Sequence, residues 1–179
     1  MKKEIHLFDK SFVPYLDEQL IANRIKELAA ELKAQYENKN LLFLSVLNGS
    51  FMFTSDLMKC MDMDVEVSFV KLSSYEGTTS SGQVHELIGL NEEIKGKHIV
   101  VLEDIVDTGL TVEMVIRMIR PKLPESIEVC TLLYKEAAYT GETPPKYFGF
   151  KIPNKFVVGF GLDYNELGRN FSEIYQLKE

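Results

Sequence analysis

Cysteine and histidine are scarce in this chain, and their placement removes several chemistries before any motif is considered. Cys60 and Cys130 lie far apart, each in apolar company, which reads as two buried free thiols rather than a disulfide or a metal pair. His6, His85 and His98 show no ligand spacing with one another or with the cysteines, so they read as ordinary surface or core histidines. Positive charge is also in short supply. Lys and Arg number 20 against 27 Asp and Glu, a formal net charge of -7, and no run of five like charges occurs. Indiscriminate nucleic-acid binding is therefore disfavoured. A polyanionic substrate would need backbone amides, a few placed cations and Mg2+ to offset the repulsion. No apolar run approaches the length of a membrane span, and the lysines of the opening segment are followed by no apolar stretch. The expectation is a cytoplasmic protein with no membrane and no nucleic acid among its partners. Internal repeats and low-complexity tracts are absent as well.

What is present fits one soluble globular domain over residues 1–179, since 45% of the residues are hydrophobic and 26% charged. Behind Pro14 and Asp17, the apolar residues Leu20, Ile21, Ile25, Leu28, Ala29, Leu32 and Tyr36 recur at helical spacing. Leu41 to Leu47 is a short apolar run that ends in Asn48-Gly49-Ser50 and passes into a second helical pattern reaching about Met61. Met63, Val65, Val67 and Phe69 alternate with polar residues and predict a strand with these side chains on its buried face. The Ser/Thr/Gly-rich segment Ser73 to Gly82 reads as a mobile loop. Lys97 to Asp104 reads as a buried strand, followed by a helix through Val112, Val115, Ile116 and Ile119 that Pro121 ends. Ile127 to Leu133 and Phe156 to Phe160 are two further apolar strands, separated by a Gly/Pro-rich connection. Strands alternating with helices give an α/β fold with a mainly parallel central sheet flanked by helices.

In such sheets ligands bind beyond the carboxyl ends of the strands, which directs attention to Asn48-Gly49, Glu103-Asp104, Lys135 and the stretch from Gly159 to Asp163. The strongest signal is VVLEDIVDTGLT, Val100 to Thr111. Two adjacent carboxylates at a strand end cannot both be buried without partners, because an unpaired buried charge costs several kcal/mol, roughly. Ribose hydroxyls or a hydrated Mg2+ would satisfy them. Immediately downstream, Thr108, Gly109, Leu110 and Thr111 open a helix whose free amides and hydroxyls suit a phosphate. Helix capping would account for Asp107 and Thr108 but leaves Glu103-Asp104 unexplained.

VVLEDIVDTGLT resembles the phosphoribosyl pyrophosphate (PRPP) motif of type I phosphoribosyltransferases. From about Phe43 to Arg169 the chain resembles their hypoxanthine–guanine branch. LSVLNGSFMF, Leu44 to Phe53, is similar to that family's first loop, SSYEG to its flexible catalytic loop, LLYKE to its base-recognition strand, and KFVVGFGLDYNELGRN to its C-terminal signature. The resemblance implies the type I phosphoribosyltransferase fold, with a small hood and a flexible catalytic loop, and an assembly of two or four copies. It further implies a purine-salvage transfer from PRPP to hypoxanthine or guanine, with release of pyrophosphate and Mg2+ as cofactor. Glu103 and Asp104 would hold the ribose and a Mg2+, and Asp107 would act as general acid/base. Thr108, Gly109, Leu110 and Thr111 would cradle the 5-phosphate, while Leu47, Asn48 and Gly49 would face the pyrophosphate. Lys135 would donate to the purine O6, Phe156 would stack on the ring with the Val157 backbone reading its edge, and Leu162 would be a further substrate-binding residue. Asp163 would bind a second Mg2+, Arg169 the pyrophosphate, and Ser74 and Tyr75 would close over the site.

Two positions depart from the family pattern. A lysine is frequent where this chain has Asn48, and an arginine is frequent near Tyr139; both changes remove positive charge. A regulator of the same fold that binds nucleotides and RNA, or a transferase for another base, remains an alternative reading of the PRPP motif alone. The acidic balance opposes the first, and LLYKE with FVVGFGLDYNE opposes the second.

Overall fold

The computed structural model describes residues 3–73, 85–88 and 93–179. Among them the chain forms β1 (Ile5–Leu7), β2 (Lys10–Leu16), α1 (Glu18–Tyr36), β3 (Leu41–Leu47), α2 (Phe51–Cys60), β4 (Glu66–Ser73) and β5 (His85–Ile88). It continues through β6 (His98–Val106), α3 (Leu110–Ile119), a 3-10 turn (Arg120–Lys122), β7 (Ser126–Tyr134), β8 (Tyr147–Lys151), β9 (Val157–Val158) and β10 (Ile174–Leu177).

The larger sheet has the order β5-β4-β3-β6-β7-β8. The strands from β4 to β8 run parallel, and β5 joins β4 antiparallel at the edge. The central strands are apolar without alternation because both faces are covered: β3 is buried from Leu41 to Val46 and β6 from Ile99 to Glu103. On one face Leu28 and Leu32 of α1 and Phe53 and Leu57 of α2 pack with Phe43, Val100 and Leu102. On the other, Val115 and Ile119 of α3 pack with Leu44, Val46 and Val101. Helix α1 begins where expected, since the Asp17 carboxylate accepts a hydrogen bond from the free amide of Leu20 at 2.9 Å. Its buried residues are the periodic Ile21, Ile25, Leu28, Ala29, Leu32 and Tyr36. Where β3 enters α2, the buried Ser45 hydroxyl bonds those of Ser50 and Thr54, each at 2.7 Å, and so fixes the loop between them.

A second, antiparallel sheet of order β1-β2-β10-β9 stands apart from the first and corresponds to the expected hood. Its core is Leu7, Phe12, Val158 and Tyr175. Three expectations need correction. The strand predicted around Met63 to Phe69 begins at Glu66, and it buries Ser68 and Val70 while Val67 and Phe69 are exposed. The alternation is real but its phase is inverted, because Val70 packs with Val46, Ile94 and Ile99 on the α3 side, whereas α2 does not reach over Val67 and Phe69. Phe156 to Phe160 is a strand only at Val157–Val158, and it belongs to the hood rather than to the parallel sheet. Of the two thiols, both free, Cys130 is buried as expected but Cys60 is only half-buried.

Leu28 is fully buried between α1 and the sheet. Leu28→Ala should lower unfolding free energy by about 2–5 kcal/mol, through lost transfer energy and a residual cavity. Urea denaturation checks this, with the midpoint lowered and the slope unchanged.

Candidate active site

Pairing between β3 and β6 ends at Ser45 and Leu102, and the chain leaves the sheet after Leu47 through a cis peptide to Asn48. Beyond that pair, β6 runs on without β3 as a partner, and Glu103 and Asp104 lie just past the last β3–β6 pair, level with the final residues of β3. Backbone packs directly on the second of them: a Cβ on Gly49 would overlap the Asp104 carboxylate. A Cβ on Gly161, whose φ is +97°, would overlap the Gly49 carbonyl in turn. Only residues without side chains let the three segments meet. Gly161 lies in the Gly159 to Asp163 stretch marked from sequence but was given no role of its own, although its place between Phe160 and Leu162 signals a close backbone approach.

Glu103 is 7% exposed, and its Oε2 has no hydrogen-bond partner among the described residues. Burial raises its pKa well above the carboxylate range, and the neighbouring Asp104 charge adds to this. Asp104 is pushed up to about 6, chiefly by burial, against the opposing pull of nearby backbone amides and of Arg169. A buried carboxyl with one oxygen short of a partner, beside a second buried acid, suits hydroxyls or a hard cation. Among the described residues no group of three or more His, Cys, Asp or Glu is placed to hold a metal ion. The oxygen donors of the pair fit Mg2+, which takes few protein ligands and completes its shell with substrate oxygens and water.

Beyond Val106 the chain turns into Asp107-Thr108-Gly109, and Gly109, with φ +90°, caps α3 in a conformation that favours glycine. The free amides at this helix start face a cavity of about 270 Å³ that extends from Glu103 to Val112. The loop is clamped from behind. Thr140 donates its amide and hydroxyl to the Thr108 carbonyl at 3.1 and 3.3 Å. The Tyr139 ring fills the space that a Cβ on Gly109 would need. Read from sequence, Tyr139 is a lost charge; in the structure it is a steric support.

Lys135 follows β7 and is 7% exposed. Its ammonium donates to Asp107 Oδ2 at 2.6 Å and to Asn154 Oδ1 at 3.3 Å, and its amide to the Val106 carbonyl at 2.9 Å. A cation buried to this degree needs such partners. Asn154 was not anticipated from the sequence and carries no motif by itself. Lys135 and Asp107 also line a second cavity of about 270 Å³, with Asp104, Ile105, Phe156, Val157, Leu162 and Asp163. The two cavities share Asp104, Ile105 and Asp107, so they adjoin along the end of β6. Phe156 is 42% exposed, which settles against a core-strand position. Asp163 and Arg169 pair with each other at 2.7 Å, and Arg169 also donates to the Gly161 carbonyl at 2.8 Å. Asn48 stands exposed on the first loop. The candidates from Glu103 to Thr111, with Lys135, Phe156, Val157, Leu162 and Asp163, thus border the two cavities, while Gly49 and Arg169 reach them through Asp104 and Asp163. Ser74 and Tyr75 lie outside the described residues.

A mostly parallel sheet with a phosphate-type loop at its centre and a separate small sheet beside it defines a class as well as a site. The phosphoribosyl transferase domain family matches residues 14–165. The hypoxanthine-guanine phosphoribosyltransferase of Staphylococcus aureus is 41% identical over 164 residues, which are 91% of this chain and 92% of that one. The hypoxanthine-guanine-xanthine phosphoribosyltransferase of Tritrichomonas foetus is 39% identical over 160 residues, 89% of this chain and 87% of that one. The crystal structure of a Staphylococcus aureus hypoxanthine phosphoribosyltransferase superposes with a TM-score of 0.86 at 39% identity, covering 92% of each chain. The chain belongs to the phosphoribosyltransferase family, and within it to the hypoxanthine–guanine group.

The Asp104 carboxyl has consequences for stability. Its folded-state pKa, about 6, lies above the ordinary 3.8, so between these values the folded state holds the proton more firmly than the unfolded chain. The ligand-free protein should lose stability as pH rises from about 4 to about 6. Asp104→Asn should flatten that slope. Thermal unfolding at closely spaced pH values checks both statements.

Proposed function

We propose that this protein, a single domain over residues 1–179, transfers the 5-phosphoribosyl group of PRPP to a 6-oxopurine, hypoxanthine or guanine, and releases pyrophosphate. The observation that carries the reading is the meeting of two cavities at Asp107. One is rimmed by a helix start suited to phosphate; the other holds a buried lysine and an exposed phenyl ring suited to an oxopurine. A base in the second would face C1 of a ribose held in the first.

Thr108 to Thr111 cradle the 5-phosphate, and Glu103 and Asp104 accept from the ribose hydroxyls. Lys135 donates to the purine O6 and Phe156 stacks on the ring, with Val157 and Leu162 closing the pocket. Turning Lys135 toward O6 draws it from Asp107, which frees that carboxylate to take the proton from the purine nitrogen as the new bond forms. Pyrophosphate leaves as C1 acquires oxocarbenium character, and Arg169, with Leu47, Asn48 and Gly49, faces the departing oxygens. Mg2+ held by Glu103, Asp104 and Asp163 would supply charge neutralisation on ribose and pyrophosphate. Asn48 offers a hydrogen bond where relatives of the family often have a cation, so pyrophosphate retention rests more heavily on Arg169 and Mg2+. Ser74 and Tyr75 close over the reacting carbon and exclude water. The setting is the cytoplasm and the working form a homodimer or homotetramer. Among the described residues no helix is long and apolar enough to cross a membrane.

Asp107→Asn should lower turnover roughly 10²- to 10⁴-fold while the Michaelis constant for PRPP stays nearly unchanged, because the shape remains and the proton acceptor is lost. Steady-state pyrophosphate release with hypoxanthine decides it; near-normal turnover rejects Asp107 as the acid/base. Lys135→Ala should raise the Michaelis constant for the purine and leave that for PRPP largely unaffected, and the unmodified enzyme should use adenine poorly. Equal use of adenine and hypoxanthine would contradict the assignment of Lys135 to O6.

A further inference from the structure

The Phe156 ring borders the base cavity from a short extended segment, and a half-exposed phenyl ring has freedom that stacking must remove. Its support comes from the N-terminal hairpin, more than 140 positions away in sequence. Phe12 of β2, fully buried, lies 6.1 Å from Phe156 between ring centroids, and Tyr164 meets it edge-on at 5.8 Å and 83°. Phe12 and Tyr164 also touch, at 6.2 Å, so the three rings form a closed triangle. The Lys10 ammonium stands 4.8 Å from the Tyr164 centroid and 5.7 Å from that of Phe156. None of Lys10, Phe12 and Tyr164 lines the base cavity, so they hold Phe156 from outside it.

Tyr164 is itself seated. Its hydroxyl donates to Asp9 Oδ1 at 2.7 Å in the turn between β1 and β2, and the Phe8 ring packs edge-on against it at 5.9 Å. A two-way backbone bridge with Leu167, at 2.9 and 3.1 Å, closes the turn that presents it. A ring held by the backbone, a hydrogen bond and three side chains is a fixed wall, and a wall of this kind restricts the rotamers of the ring beside it.

We infer that Tyr164, seated by Asp9 and flanked by Lys10 and Phe12, is a positioning residue that sets the plane of the Phe156 ring for stacking on the purine. This inference rests on the proposed purine transfer. Tyr164 touches no reacting atom, so its effect belongs in base affinity rather than in the chemical step.

Full-length Tyr164→Leu, Tyr164→Phe and Lys10→Met enzymes test this through separate Michaelis constants for hypoxanthine and PRPP. Tyr164→Leu should raise the hypoxanthine constant roughly three- to tenfold, the range of an aromatic edge contact, with kcat and the PRPP constant within about twofold. Tyr164→Phe, which keeps the ring but loses the bond to Asp9, should fall between the parent and Tyr164→Leu. Lys10→Met keeps an apolar stem without the charge, and should raise the hypoxanthine constant by about two- to fivefold. That substitution carries the test alone if Tyr164→Leu does not fold. An unchanged hypoxanthine constant, or a parallel rise for both substrates, overturns the inference. If the unmodified enzyme shows no base-dependent pyrophosphate release, the functional reading falls and takes this inference with it. A fully active parent whose variants keep their hypoxanthine constant sinks this inference alone.

Discussion

Glu103 is buried in the last half of β6 with one carboxyl oxygen lacking a partner among the described residues, next to a second acid that burial also holds toward its protonated form. Most buried polar atoms in folded proteins are satisfied, and leaving one unsatisfied costs roughly 1–3 kcal/mol. The surrounding architecture pays attention to little else. Pairing of β3 with β6 ends just before the pair, glycine at positions 49 and 161 lets backbone close on Asp104, and the next turn of chain leads into the start of α3. The scaffold that tolerates this cost is the doubly covered parallel sheet, whose apolar strands supply the compensating burial.

The second organising contact is the ion pair of Lys135 with Asp107, which joins the end of β7 to the end of β6 and spans the boundary between the two cavities. Each member is the other's charged partner, at 2.6 Å. The connection that follows Lys135 then folds back through Tyr139 and Thr140 onto the phosphate loop, so one segment supports both the base and the phosphate sides. From the opposite direction the hood brings Phe156, with its aromatic backing, to the rim of the base cavity. Fixing both halves by separate rigid elements is what lets two substrates meet in reacting geometry.

Much of this was legible in the sequence because it is encoded locally. The apolar runs of β3, β6 and β7, the stripe of α1 and the turn of Gly109 each follow from neighbours a few residues apart, and so does the conspicuous Glu103-Asp104 pair. What was missed depends on distant chain. The phase of β4 was inverted because the helix layer stops short of Val67 and Phe69, a fact of tertiary coverage that alternation does not contain. The hood was expected from the family resemblance, but its strands were not read from the residues, because they are short and pair residues from opposite ends of the chain, as Tyr175 does with both Val158 and Pro14. Asn154 and Tyr164 acquire meaning only from the partners that folding delivers, Lys135 for the one and Asp9, Phe12 and Phe156 for the other. Tyr139 illustrates the converse, since a residue read as missing charge proves to be filling space.

On the proposed role of Glu103 in ribose binding, its carboxyl goes unsatisfied at the expense of stability. Glu103→Met, close in shape but without the orphaned oxygen, tests it through two measurements on one variant: thermal unfolding without ligand, and calorimetric titration with PRPP and Mg2+. The account predicts a variant that melts at a higher temperature than its parent and binds PRPP at least roughly tenfold more weakly, the equivalent of about 1.4 kcal/mol. A variant that melts lower, or that binds PRPP as tightly as its parent, would contradict it.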